Sequence, residues 1–271
     1  MKKIAMIMAI GIAAISLAAG TCFAEKIVIA GSTTVLPIAQ KTAEEFMNDN
    51  PSADISVRGG GSSVGIAALI DGNCDIADSS RPIKDVEIQK AVSNGRDPVA
   101  HIVALDGIAV VVNKSNPVSK LSKKQVKDIF MGKISDWSQL GGNTGKIVVV
   151  SRDTASGTFE AFGELVMQKE KVMPSALMQV SNQAVAQIIN QTPNSIGYVG
   201  LGFMTNSLKA IEIEEVMPSK ETVLSGKYSV TRPLFMYTNG KPQGTIKKYL
   251  DFVKSPDGQN LVESQGYVGL K

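Results

Sequence analysis

Beyond residue 24, short apolar and β-branched runs alternate with stretches whose apolar residues recur at helical spacing. The joints between them are small and rich in hydroxyls. Residues 26–30 read as a strand, Gly31-Ser32-Thr33-Thr34 as a turn, and Ile38, Ala39, Ala43, Phe46 and Met47 as one face of a helix opened by Pro37. Asn50-Pro51 ends that helix, residues 55–58 alternate as a second strand, and Gly59-Gly60-Gly61-Ser62-Ser63 precedes a helical pattern of Ile66, Ala67, Leu69 and Ile70. A third short strand, 75–77, runs into Asp78-Ser79-Ser80-Arg81-Pro82, and Asp85 is expected to cap a polar helix over 86–94 that Gly95 stops. Residues 99–113 are apolar for most of their length, long enough for a buried strand that passes from one lobe to another.

Ser122 and Gln125 form a capping-box pattern for a helix through Phe130, terminated at Gly132. A strand over 146–151 then enters Ser151-Arg152-Asp153-Thr154-Ala155-Ser156-Gly157-Thr158-Phe159, with a helix expected over 159–169. Ser181-Asn182 opens a helix carrying Val185, Ile188 and Ile189, and Pro193-Asn194 breaks it before a strand at 196–199. Residues 208–216 read as extended, 232–237 as a strand, and 245–253 and 257–264 as terminal helices. Strands alternating with helices predict an α/β fold with mostly parallel sheets. The chain beyond residue 24 exceeds what one core commonly holds, so two lobes are expected: 25–108 with 231–271, and 109–230.

The first 24 residues stand apart. Met1-Lys2-Lys3 is a basic start, 4–19 is apolar and uncharged, and Cys22-Phe23-Ala24 places small residues at both positions of a cleavage site. This reads as a secretory signal cleaved after Ala24, which sends the protein to the periplasm. A lipid anchor at Cys22 is the rival reading, although Ala19-Gly20-Thr21 lacks the usual large aliphatic residue. Removal of Lys2 and Lys3 leaves 26 basic against 25 acidic residues, a net charge of +1. Neither a nucleic-acid partner nor a membrane-surface field follows from that balance. One cysteine, Cys74, remains, so no internal disulfide is possible; beside a short strand it reads as a buried apolar group.

Three of the turns share one chemistry. Those at Ser32–Thr34, Ser62–Ser63 and Ser156–Thr158 each lie where a strand ends and a helix begins, the edge at which open α/β sheets bind ligands. The first amides of a helix lack internal partners and carry the positive end of its dipole, so Gly157 and Thr158 offer N–H groups to an anion. Ser156 and Thr158 add hydroxyls, and Arg152 can supply a planar fork to a tetrahedral oxyanion. The bland alternative makes Ser62, Thr33 and Ser156 plain helix caps.

These segments, together with Arg81 and the signal, resemble the ligand-binding turns of the extracytoplasmic phosphate-binding proteins that feed the phosphate-specific ABC transporter. The resemblance implies a two-lobe periplasmic-binding-protein fold of type II that closes on inorganic phosphate and docks on a membrane permease, as a monomer without a cofactor. It implies that Thr33, Thr34 and Ser62 come from one lobe, with Ser32 in the same turn, and Arg152, Ser156, Gly157 and Thr158 from the other. Familiar members carry an aspartate in the third turn that accepts the phosphate proton; the matching position here is Ser80, followed by Arg81. Arg81 is either a second ligand cation or a surface pair. Asp78 and Asp153 are near enough in sequence to replace the acceptor, with Asp153 read first as an orienter of Arg152.

Other oxyanions (sulfate, molybdate, tungstate) are the alternative ligands, and a secreted phosphatase is the alternative class. Catalysis finds little to work with. His101 is the one histidine, it sits before an apolar run, and no Gly-x-Ser-x-Gly accompanies it. Trp137, in a segment common in that family, is expected to pack under a lobe.

Overall fold

The computed structural model describes residues 25–270, so the signal reading of 1–24 and the Cys22 alternative lie outside the described residues. β1 (Glu25–Gly31), α1 (Leu36–Asp49) and β2 (Ala53–Arg58) form a parallel βαβ unit. Pro37 occupies the first turn of α1, where a missing N–H costs nothing, and Ile38, Ala39, Ala43 and Phe46 make its buried face. α2 (Ser62–Ile70) returns the chain to β3 (Ile76–Ser79), which pairs in parallel on the other side of β1. Three parallel strands therefore end side by side. α3 (Asp85–Ser93) differs from expectation by one residue: Lys84 holds the cap position, Asp85 is the first helical residue, and Glu87 reaches back to accept the Lys84 amide at 2.9 Å.

β4 (Pro98–Asn113) is sixteen residues long and is followed by β5 (Lys120–Leu121) and α4 (Lys123–Phe130). α4 opens on the Ser122/Gln125 capping box, with Ser122 Oγ accepting the Gln125 amide at 3.1 Å. Next come β6 (Val148–Arg152), α5 (Gly157–Leu165), β7 (Leu177–Gln179) and α6 (Asn182–Gln191). α5 stops four residues short of the expected end, because Gln168 and Lys169 turn left-handed and the Lys169 amide closes on Gly163 O. The chain then adds β8 (Ser195–Gly200), β9 (Leu208–Ala210), β10 (Glu212–Ile213) and α7 (Lys220–Leu224). The expected single extended run over 208–216 is two short strands followed by a left-handed Glu214-Glu215 turn. β11 (Thr231–Asn239), α8 (Gly244–Lys254) and α9 (Pro256–Ser264) complete the fold.

The strand order is β2-β1-β3-β11-β4-β8-β6-β7, with β9 also on β4. Pairing is parallel on both flanks and antiparallel at the centre. The first part of β4 pairs with β11 and the last part with β8, so one strand serves both lobes. Two main apolar cores follow: one gathers Ile27, Ile29, Ile38, Phe46, Ile76, Met236 and Tyr249, the other Val110, Phe130, Trp137, Val149, Phe162, Ile189 and Tyr198. Trp137 is buried, and its indole N–H donates to Asn194 O at 3.0 Å. Cys74 is buried too, and burial pushes its thiol up to about 12, far from a reactive thiolate. Among the described residues no helix is long and apolar enough to cross a membrane.

Candidate functional site

The carboxyl ends of β1, β2 and β3 and the turn after β6 meet between the two cores. Gly31 has φ +138°, and a Cβ there would overlap the carbonyl oxygen of Asp78. This lets Ser32 N donate to Asp78 O at 2.8 Å, while Ser32 Oγ accepts Thr34 N and Val35 N at 3.1 and 3.3 Å. The Ser32 oxygen is thus committed within the turn, leaving its O–H alone for a ligand. Ser62, at the start of α2, accepts the Ser80 amide at 3.0 Å and lies 3.3 Å from Ser80 Oγ. In the other lobe Ser156 caps α5, accepting Thr158 N and Phe159 N at 3.1 and 3.2 Å. Cap and site roles coincide at Ser156, whose oxygen fills its lone pairs with two amides and keeps its proton free; Ser32 does the same within its turn without capping α1, whose cap position is Val35, and Ser62 follows Gly61, the cap position of α2.

Arg152, at the end of β6, is 1% exposed. Its Nε and Nη2 donate to the carbonyls of Gln179 and Val180, both at 3.1 Å, and Nη2 also reaches Thr33 Oγ1 across the lobes at 3.1 Å. Nη1 is buried and finds no partner among the described residues. Burial lowers the Arg152 pKa to about 10, with Tyr198 and Asp153 opposing the shift, so the group stays cationic at neutral pH. Thr34 Oγ1 and Thr158 Oγ1 meet at 2.9 Å, and Ser63 N donates to Ala155 O at 3.1 Å. The lobes are closed on one another.

Three expectations need correction. Arg81 is not available as a ligand cation: it forks onto Glu87 at 2.7 and 2.8 Å and its Nε lies 3.0 Å from Glu160 Oε2 in the facing lobe. Lys84 joins Glu160 at 2.6 Å, so two carboxylates hold two cations in an ion-pair cluster that bridges the lobes. Asp153 does not orient Arg152 by hydrogen bonding, because its Oδ1 accepts Ala155 N at 3.1 Å and the carbonyls after β7 do the orienting. Asp78 offers its main chain to Ser32, but its carboxyl is fully buried with no side-chain partner among the described residues, and burial raises its pKa well above the ordinary range. No recorded side-chain contact ties this carboxyl to the other site residues.

Three residues of the site lay outside the turn motifs. Arg232, on β11, donates through Nη2 to Thr158 Oγ1 at 3.0 Å and Thr34 Oγ1 at 3.4 Å, and through Nη1 to Ser80 O at 3.1 Å. Asp106, its register partner on β4, pairs with it at 2.8 Å and accepts Leu201 N at 2.9 Å. Burial raises the Asp106 pKa while Arg232 pulls it down. Asn182, the first residue of α6, donates to Thr34 Oγ1 at 2.9 Å. A sequence signal for the first two did exist: opposite charges set singly inside two apolar strands must find each other when both are buried. With Arg152, Arg232 and Asp106 counted together the site carries +1. His101 is a structural group, paired with Thr238 Oγ1 at 2.9 Å and held below its ordinary pKa by burial and by Lys254. Among the described residues no group of three or more His, Cys, Asp or Glu side chains could hold a metal ion.

Gly157 is the closest sensor of closure. A Cβ there would overlap Ser62 Oγ and stand 2.8 Å from Ser80 Oγ, both in the opposite lobe. Gly157→Ala is therefore expected to hold the lobes apart and weaken phosphate binding about tenfold or more, about 1.4 kcal/mol. Titration calorimetry with small-angle scattering in the presence of phosphate reads both effects.

The family model of the PBP superfamily domain matches residues 17–257. A phosphate-binding protein PstS from Bacillus subtilis is 34% identical over 89% of this chain and 79% of its own length, and one from Borreliella burgdorferi 32% identical over 91% of each. Among solved structures, a substrate-binding protein from Clostridium perfringens with bound phosphate has a TM-score of 0.86 and 32% identity, covering 91% of this chain and all of that one. An ABC-type phosphate transport receptor from Vibrio cholerae has a TM-score of 0.75 at 33% identity, covering 90% of this chain and all of that one. Closed lobes, hydroxyl-lined turns and a buried arginine thus accompany likeness over nearly the whole length, and the chain belongs to the PstS family of phosphate-binding proteins.

Proposed function

We propose that this protein is the extracytoplasmic receptor of an ABC transporter, capturing inorganic phosphate between its lobes and delivering it to a membrane permease. The observation that carries this reading is Arg152: a buried guanidinium with one nitrogen unpartnered, surrounded by hydroxyls from both lobes. Such a site suits a dehydrated oxyanion, since many neutral donors and one net positive charge replace its hydration shell. Thr33, Thr34, Ser62, Ser80, Arg152, Ser156, Gly157 and Thr158 form the ligand shell in this reading, with Ser32 contributing its turn. The lobes comprise 25–108 with 231–271, and 109–230; β4 and β11 connect them. Ligand contacts from both sides favour the closed form, whose outline the permease recognises. Export by a signal cleaved after Ala24 places the protein in the periplasm.

The relatives are named as binding and transport proteins, which sets catalysis aside. The test is calorimetry with phosphate, arsenate, sulfate, molybdate and tungstate at two pH values, beside incubation with a phosphomonoester. Tight phosphate binding without phosphate release from the ester is expected. Sulfate binding as tightly as phosphate would overturn the ligand, and steady release would overturn the class.

A further inference from the structure

A protein that closes on its ligand gains affinity from every contact that favours the closed form, including contacts the ligand never touches. The ion-pair cluster around Arg81 is of this kind, and its members are shared unequally between the lobes.

Of the five N–H groups of a guanidinium, Arg81 spends four within its own lobe: Nη1 donates to Pro82 O at 2.9 Å and Glu87 Oε2 at 2.8 Å, and Nη2 to Glu87 Oε1 at 2.7 Å and Ser63 Oγ at 3.0 Å. Glu87 is steadied in turn by the Lys84 amide at 2.9 Å. The fifth N–H, on Nε, is buried, and Glu160 Oε2 from the facing lobe stands 3.0 Å away, off the line of a hydrogen bond but well within range of charge. The same oxygen meets Lys84 Nζ at 2.6 Å, and Glu160 Oε1 accepts from Ser63 Oγ at 3.3 Å. Arg81, Lys84 and Ser63 therefore form a socket whose internal bonds do not depend on closure. One carboxylate from α5 enters it. Ser63 also gives its amide to Ala155 O at 3.1 Å, so the socket docks beside a backbone contact between the same two lobes.

We propose that Glu160 is a closure latch, a positioning residue that enters the Arg81–Lys84–Ser63 socket, favours the closed form and so raises anion affinity without contacting the anion. The proposal rests on the phosphate reading and deepens it, naming a residue that sets how tightly the site holds rather than what it holds.

The direction of the effect separates a latch from a bystander charge. Glu160 lies in the first turn of α5, the turn whose amides are assigned to the anion, so by its field alone it opposes phosphate. Neutralising it would also take a cluster of two cations and two carboxylates from balance to +1. A bystander charge therefore predicts that Glu160→Gln tightens phosphate binding, and a latch predicts that it weakens it.

The experiment is titration calorimetry of Glu160→Gln with phosphate and arsenate. About fivefold weaker binding is expected for both ions alike, because the latch acts on closure and not on the ion. Lys84→Met should also weaken binding, and by less in the Glu160→Gln background than in wild type, since the two side chains act as a pair. Unchanged or tighter phosphate binding by Glu160→Gln overturns the latch, as do losses that simply add in the double variant. If circular dichroism shows that Glu160→Gln is unfolded, Glu160→Ala is read the same way. Wild-type protein that fails to bind phosphate would instead overturn the function itself, and the wild-type titration tells the two failures apart.

Discussion

Arg152→Ala is expected to weaken phosphate binding about a thousandfold, about 4 kcal/mol. The guanidinium is the largest charge contributed by its lobe to the site, and its three recorded partners are two carbonyls and a hydroxyl. A bound anion loses both its counter-charge and the bridge from Gln179 and Val180 to Thr33. Arg152→Lys restores the charge without the planar fork, so it should recover only part of the loss. Calorimetry on folded variants measures both. A loss below tenfold for Arg152→Ala would place the main counter-charge elsewhere, with Arg232 the nearest candidate.

The second large effect concerns stability. Burial without a side-chain partner keeps the Asp78 carboxyl protonated well above its ordinary value of 3.8. The folded chain therefore holds a proton that the unfolded chain has released. Below the unfolded pKa both states are protonated and the group exacts no penalty. As pH rises above it, stability falls by about 1.4 kcal/mol per pH unit until the folded carboxyl also ionises. Asp78→Asn keeps the shape of the neutral acid and cannot ionise. The gain in unfolding free energy of the variant over wild type should thus grow as pH rises from acid toward neutral. Urea unfolding in phosphate-free buffer over that range measures it, and a gain independent of pH would show a carboxylate already ionised in the fold.

The architecture was largely legible in the chain because its signals are local. Pro37 in the first turn of α1, the Ser122/Gln125 box and the apolar length of β4 each act through nearest neighbours and appear in the fold as written. The turns were legible for the same reason: a serine that caps a helix is also a serine at a helix N-terminus. What the chain did not disclose is who faces whom. Arg81 follows directly on the site turn, yet Glu87 and Glu160 claim it; Glu160 is 79 residues away and meets it only when the lobes close. Asn182 and Arg232 enter the site from a helix start and a central strand, positions that no turn motif marks.

The shared strand β4 gives the two arginines different parts in time. Asp106 and Arg232 face each other on β4 and β11, the strands that join the lobes, so their pair sits at the fulcrum. Arg152 stands at the end of β6, on the arm that swings. Opening the cleft separates Arg152 from Thr33 and Thr158 from Thr34 but leaves the fulcrum pair intact. The molecule therefore keeps a stationary, internally neutralised pair whose guanidinium still offers N–H donors to an arriving anion, while the net positive charge travels with Arg152 and seals it in. Capture and release are then governed by separate residues, and a permease that pries the arm away withdraws the second without disturbing the first.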